Sequence, residues 1–277
     1  MQITDRVYLI RQDFNVTPVV KRYVNIYLIV GEEGCYLIDS GVAGAEVLIK
    51  EYLQFLGKSM ADIKGLFLTH SHPDHIGAAN RIKQESNCTV YAPQKELSWI
   101  ENINNQFRDR PIPNFYNLLP ESVQVDVAVE DGMIIEPEKG IQLKCVETMG
   151  HSHGSMSYML NGEEIFIGDA VPVVNDIPIF VDYCGTIKSI QILQGMQNIA
   201  HYCPAWDDVY NPNTFAATSQ ASLEMLAKLK AAADAVAQKN PDKKLVDKVS
   251  AILQQAGLLQ FAGNPLVIKS IEACLQA

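Results

Sequence analysis

The sequence predicts a mixed α/β or α+β fold with a helical C-terminal extension, and three observations carry that expectation. Short runs rich in β-branched and aromatic residues come in two batches, between Val7 and Asp39 and between Val123 and Ile167. Segments with apolar residues at spacings near 3.6 lie between and after them. Beyond Asn211-Pro212-Asn213 the composition shifts to helix formers. Two parts follow, a mixed domain over 1–211 and a helical extension over 212–277.

The elements can be justified in order. Val7 to Ile10 and Val24 to Val30 read as strands, and Gly31-Glu32-Glu33-Gly34 turns the chain into a further strand from Cys35 to Asp39. Ala43 to Leu56 places Val47, Leu48, Tyr52, Leu53 and Leu56 on one helical face. Gly65 to Thr69 is a short buried strand, Ile76 to Lys83 a helix, and Val90 to Ala92 another strand. Between Gln94 and Leu119 the pattern is polar, with Pro111 and Pro113, and reads as a helix followed by a loop. Strands return at Val123 to Val125, Met133 to Ile135 and Leu143 to Val146, and Asn161-Gly162 joins a hairpin from Ser157 to Ile167. Ile187 to Ala200 is helical by period, and Tyr202 to Ala205 is a last short strand. The extension reads as helices over Ser219 to Lys239, Pro241 to Gln255 and Pro265 to Gln276, the last two opened by Asn-Pro pairs.

Composition narrows the function. A chain of 277 residues with 48% apolar and 19% charged residues buries a full core. Its formal net charge of −10 has the wrong sign for gripping nucleic acid or an anionic membrane. The first twenty residues carry Asp5, Arg6, Arg11 and Asp13 and show no leader pattern, and no uncharged run is long enough to span a membrane, so a cytoplasmic location is expected. The six cysteines contain no CxxC pair and read as reduced, mostly buried side chains.

The chemistry concentrates in His70-Ser71-His72-Pro73-Asp74-His75, directly after a buried strand. At this chain's His frequency of 6 in 277, such a pattern arises by chance with a probability of roughly 10⁻⁴. Residues i and i+2 of an extended strand end face one side, so His70 and His72 can address one metal ion. Pro73 then turns the chain into a helix that puts Asp74 and His75 on the neighbouring side, toward a second ion. Imidazole and carboxylate donors suit zinc first and iron or manganese next, and the lack of thiolates argues for an open, catalytic site. Two more strand ends offer donors, His151 in Gly150-His151-Ser152 and Asp169 after Gly168.

Taken together, these segments resemble the metallo-β-lactamase-fold hydrolase superfamily: Leu37-Ile38-Asp39-Ser40-Gly41, Thr69 to His75, Gly150-His151-Ser152 and Gly168-Asp169, over about residues 1 to 210. The resemblance implies an αββα sandwich with two metal ions at one edge. It assigns His70, His72 and His151 to the first ion and Asp74, His75 and Asp169 to the second, with Asp169 bridging. It also implies a binuclear hydrolase that attacks an ester, thioester, lactone or phosphoester of a small molecule with a metal-bound hydroxide, which Asp74 orients. Asp39 is then expected to support a ligand histidine from behind.

The family pattern breaks at its last ligand, where this chain reads Cys203-Pro204-Ala205-Trp206-Asp207-Asp208 and Trp206 stands in place of a histidine. Asp207 is the favoured replacement; His201, Asp208 or a weaker second site are the alternatives. His153 reads equally as a substrate-side residue or a loop residue, while Trp206, Tyr183 and Phe180 read more readily as core than as pocket wall. An iron-dependent persulfide dioxygenase and a non-catalytic metal-binding protein are the competing functional classes. The helical extension is expected to cover the substrate or to form a homodimer contact.

Overall fold

The computed structural model describes residues 1–277. Two sheets face one another, and helices cover the outer side of each. The first sheet has the order β1 (Val7–Thr17), β2 (Val20–Val30), β3 (Cys35–Ile38), β4 (Ile63–Phe67), β5 (Thr89–Pro93), β6 (Val127–Val129). The second runs β11 (His201–Pro204), β10 (Glu164–Gly168), β9 (Met156–Leu160), β8 (Ile141–Glu147), β7 (Ile134–Glu138). The antiparallel hairpin β1–β2 gives way to parallel pairing from β3 to β6, which requires crossovers. The helices that supply them include α1 (Ala45–Phe55), α2 (Pro73–Ile76) and α3 (Ala79–Ser86).

Burial follows the layers. Between the sheets lie Leu9, Tyr27, Tyr36, Phe67, Leu143, Tyr158 and Phe166, in one apolar cluster. Outside the first sheet, Ile49 and Leu53 of α1 pack with Leu37, Leu66 and Ile82. Outside the second sheet, α7 (Tyr183–Gln194), α8 (Pro212–Lys239), α9 (Val249–Ala256) and α10 (Leu266–Gln276) share a cluster with Ile165, Ile167 and Tyr202. The C-terminal helices therefore complete the fourth layer of the sandwich: α8 packs on α7 and β11, and α9 and α10 pack on α8.

Several local expectations are corrected. Val123 to Val125 is not a strand: the Val123 amide bonds Ile100 O, its side chain joins the outer cluster, and the ladder with Tyr91 starts at Val127. A three-residue alternation cannot separate a strand from an extended covering segment. The helix expected from Ile76 is broken at Gly77, where a Cβ would collide with Leu118 O and would meet Val42 Cα at 2.6 Å. Residues 94–119 form three short helices, α4 (Leu97–Ile100), α5 (Ile103–Asp109) and α6 (Phe115–Leu118). The helix expected from Pro241 starts only at Val249, whereas α8 begins earlier than expected, at Pro212, behind the Asn211 cap that accepts from the Asn213 and Thr214 amides.

The two sheets are tied along one edge. Tyr158 Oη donates to Leu68 O at 2.8 Å, Met156 N to Thr69 O at 2.9 Å and Tyr27 Oη to Pro204 O at 2.6 Å. These bonds run from one sheet to the backbone of the other just where β4 and β11 end. The ends of β4, β10 and β11 and the loop after β8 meet there.

Candidate metal centre

Six of the seven side chains expected to bind metal converge at this edge. His70 Nε2 lies 3.0 Å from His72 Nδ1, and His151 Nε2 lies 2.8 Å from the same nitrogen. A second group forms from His70, His75 and Asp169. Asp169 Oδ2 stands 3.3 Å from His151 Nε2 and 3.5 Å from His75 Nε2, between the two groups, and Asp74 Oδ2 is 3.7 Å from His75 Nε2.

The backbone explains the convergence. Gly150 has φ +130° and a Cβ there would collide with the Thr186 amide nitrogen, so only glycine lets this loop lie against α7. Its carbonyl accepts the Val181 and Asp182 amides, which anchors His151. Pro73 opens α2 immediately after His72, so Asp74 and His75 leave the strand direction on a helical turn.

Hydrogen bonds behind the site set the ring tautomers. His151 Nδ1 donates to Ile179 O at 2.8 Å, which leaves the Nε2 lone pair facing inward. Thr69 Oγ1 gives its proton to Asp39 Oδ2 at 2.8 Å and so accepts from His70 Nδ1 at 3.0 Å, freeing His70 Nε2. Asp39 holds both sides of this network, because its Oδ2 also receives His75 Nδ1 at 2.7 Å while its Oδ1 receives the Thr69 amide at 2.7 Å. It does so from the left-handed region, φ 61°, a conformation that aspartate tolerates better than most residues. Asp39 thus supports the cluster from behind through three bonds, two from Thr69 and one from His75.

The donor set fits a cation. Two lone pairs, on His70 Nε2 and His151 Nε2, aim at one nitrogen of His72 that can offer a single hydrogen, and His75 Nε2 and Asp169 Oδ1 are buried without any hydrogen-bond partner. Burial and neighbouring rings hold His70 and His72 well below the ordinary histidine pKa, and burial lowers His151 as well. These three stay neutral and ready to ligate. At His75 burial works the same way, but Asp169, Asp39 and Asp74 outweigh it and raise the ring well above its ordinary value. Asp169 is lowered: burial would raise it, but His75 and His151 prevail.

Asp207 is not brought to this group. Its Oδ2 accepts from Tyr210 Oη at 2.6 Å and its Oδ1 from the Asp208 amide at 2.8 Å. Trp206 instead turns its indole inward, where Nε1 donates to Asp74 Oδ2 at 3.0 Å. The residue that stands in place of the expected histidine therefore binds the Asp74 carboxylate. His201 sits at the far end of β11, 3.9 Å from Glu164, and Asp208 is paired with Arg11 at the surface.

Beside the histidines opens a cavity of about 470 Å³, lined by His72, His151, Arg110, Trp99, Phe180 and Leu266 among others. Exposed His153 also faces it; Phe180 is fully buried and Tyr183 half-buried beside it. Three residues of its surroundings went unread in the sequence. Buried Glu96 accepts from Ser71 Oγ, from Ser152 Oγ at 2.6 Å and from the Gly154 amide at 2.7 Å, clamping the two histidine loops together. Gln106 Nε2 donates to Ser71 O, and Arg110 stands one turn further along the same helix. The i, i+4 spacing of Gln106 and Arg110 before Pro111 is the one signal that could have found them.

The profile of the metallo-beta-lactamase superfamily matches residues 19–233, and the chain belongs to that superfamily. It is 27% identical over 156 residues to the probable metallo-hydrolase YqgX of Bacillus subtilis, a match covering 56% of this chain and 68% of that protein. To the probable polyketide biosynthesis zinc-dependent hydrolase PksB of the same organism it is 26% identical over 157 residues, 54% of this chain and 57% of the relative. A hydroxyacylglutathione hydrolase of Prochlorococcus marinus matches at 28% over 149 residues, 53% of this chain and 49% of the relative. The matched stretch thus spans about half to two thirds of these relatives. In fold, the chain resembles a metallo-beta-lactamase family protein from Thermus thermophilus with a TM-score of 0.73 at 18% identity, covering 99% of this chain and 93% of that one. A beta-lactamase domain protein from Burkholderia ambifaria gives 0.74 at 15% identity, with 99% and 87% covered. At family level this is a metallo-hydrolase, and no helix is long and apolar enough to cross a membrane.

Proposed function

We propose that the protein is a binuclear metal-dependent hydrolase of small-molecule esters, thioesters, lactones or phosphoesters, with two zinc ions preferred over iron or manganese. The observation that carries this reading is the meeting of ring nitrogens of His70, His72 and His151 beside the unpartnered His75 Nε2 and Asp169 Oδ1. The zinc-dependent hydrolase named among its relatives supports the choice of metal. When bound, such ions supply Lewis acidity to the scissile group and ionise water near neutral pH.

The chain's own residues do the rest. His70, His72 and His151 would hold one ion, and His75, Asp74 and Asp169 the other, with Asp169 placed between the two sets. Asp39, directly for His75 and through Thr69 for His70, and Ile179 O for His151 keep the ring protons on the outer nitrogens, so these three lone pairs point inward. Trp206 holds Asp74 Oδ2, which leaves Oδ1 free to accept from and orient the attacking water. The cavity excludes bulk solvent from one side and admits a substrate of small-molecule size.

The test is metal analysis joined to turnover. Purified protein should contain close to two divalent ions per chain, and chelation should abolish hydrolysis of an activated ester or thioester, with activity restored by zinc. Full turnover by a stripped protein would overturn the reading.

A further inference from the structure

The cavity beside the histidines is lined by six formally charged side chains, Lys95, Glu96, Asp109, Arg110, Lys269 and Glu272. Five of them already have partners. Lys95 pairs with Glu147, Lys269 with Glu272 at 3.2 Å, and Asp109 with Arg108 at 2.9 Å, while Glu96 is saturated by Ser71, Ser152 and the Gly154 amide. Arg110 alone has no ion pair and no side-chain hydrogen bond, although it is half-buried. A guanidinium carries five donors in a planar fork, and that of Arg110 is open to a ligand in the cavity.

The position of Arg110 is built. It caps α5, Pro111 prevents the helix from continuing, and Gln106, one turn earlier on the same face, grips Ser71 O between the two motif histidines. The helix end is therefore locked to the metal-binding loop. Arg110 lines the same cavity as His72 and His151.

We infer that Arg110 is a specificity-determining residue that receives a carboxylate on the substrate, so that the preferred substrates are small esters or thioesters carrying an anionic carboxylate a few atoms from the scissile carbonyl. A single planar guanidinium matches one carboxylate in charge and in fork geometry, whereas a phosphate would leave a second charge unpaired. The inference rests on the hydrolase reading for the identity of the reacting group, and only on the cavity for the carboxylate.

Two measurements on the metal-loaded protein separate these dependencies. In the first, the 4-nitrophenyl monoester of glutaric acid is compared with 4-nitrophenyl butyrate. Wild type should prefer the charged ester, and Arg110→Ala should erase that preference by about tenfold or more, through KM, while turnover of the neutral ester and the melting temperature stay near wild type. Arg110→Lys should keep part of the preference, because the charge remains and the fork is lost. In the second, calorimetric binding of glutarate is compared with butyrate, so that one carboxylate on the ions is common to both ligands. Glutarate should bind wild type about tenfold more tightly and Arg110→Ala equally with butyrate. Equal preference in wild type and Arg110→Ala in both measurements overturns the inference, as does tighter binding of 4-phosphonobutyrate than of glutarate. Selective glutarate binding by a protein that hydrolyses neither ester defeats the hydrolase reading and leaves the carboxylate site standing.

Discussion

At the scale of single residues, the site is held by groups that do not themselves touch the proposed ions. Asp39 is the clearest case, since it receives His75 Nδ1, the Thr69 amide and Thr69 Oγ1 while lying 2% exposed. Replacing it with asparagine keeps the shape but removes the charge that orients His75, and the expected loss is about 10–100-fold in affinity for one ion, read by competition with a chromophoric chelator. Asp207 predicts the opposite. Because its carboxylate is committed to Tyr210 and the Asp208 amide, Asp207→Ala should retain wild-type metal content and lose only about 1 kcal/mol of stability in a denaturant titration. The motif histidines were legible in the sequence because period-two geometry at a strand end forces His70 and His72 together. Trp206 was not, since nothing in a one-dimensional pattern tells that an indole N–H will reach a carboxylate 132 positions earlier.

At the scale of elements, the C-terminal helices are wired to the site. Ser270 on α10 donates to Pro178 O at 2.7 Å and accepts the Phe180 amide at 3.0 Å, bracketing Ile179, whose carbonyl sets the tautomer of His151. Ser270→Ala leaves a buried amide and a buried carbonyl unpaired, which should cost about 1–3 kcal/mol of stability. Chelator competition should show weaker ion binding as well; a loss of stability with unchanged metal affinity would confine the role of α10 to packing. The strands around this site were readable because β-branched runs and the Asn161-Gly162 turn, with both residues at positive φ, announce them. The short helices α4 to α6 were not, because their helical contacts come from Glu96, Gln106 and Phe115 binding other elements rather than from any amphipathic repeat. The extension was legible as helices, but the packing of α8 on α7 and β11 was not, since period alone does not say which surface a stripe will cover.

At the scale of the whole molecule, the donor cluster makes stability depend on both metal and proton. In the metal-free protein His70, His72 and His151 have lowered pKa values, so they take up protons on unfolding once the pH falls below about 6.5, and the folded state loses stability with each. His75 behaves inversely. Its raised pKa contributes stability that is fully present below about 6.5 and disappears as pH rises through the folded value. Below pH 6 the three lowered histidines dominate, because His75 is then charged in both states and adds no slope. Unfolding would take up about three protons, a slope of roughly 4 kcal/mol per pH unit at most. The metal-free protein should therefore melt at a steeply falling temperature between pH 6.5 and pH 5 in scanning calorimetry. Zinc should raise that temperature, and the increment should shrink as the pH falls, because ligation by His75 must displace the proton that its raised pKa retains. A metal-free melting temperature that stays flat across this range would mean that the three rings are protonated in the folded chain, and the proposed ion-binding arrangement would fail with it.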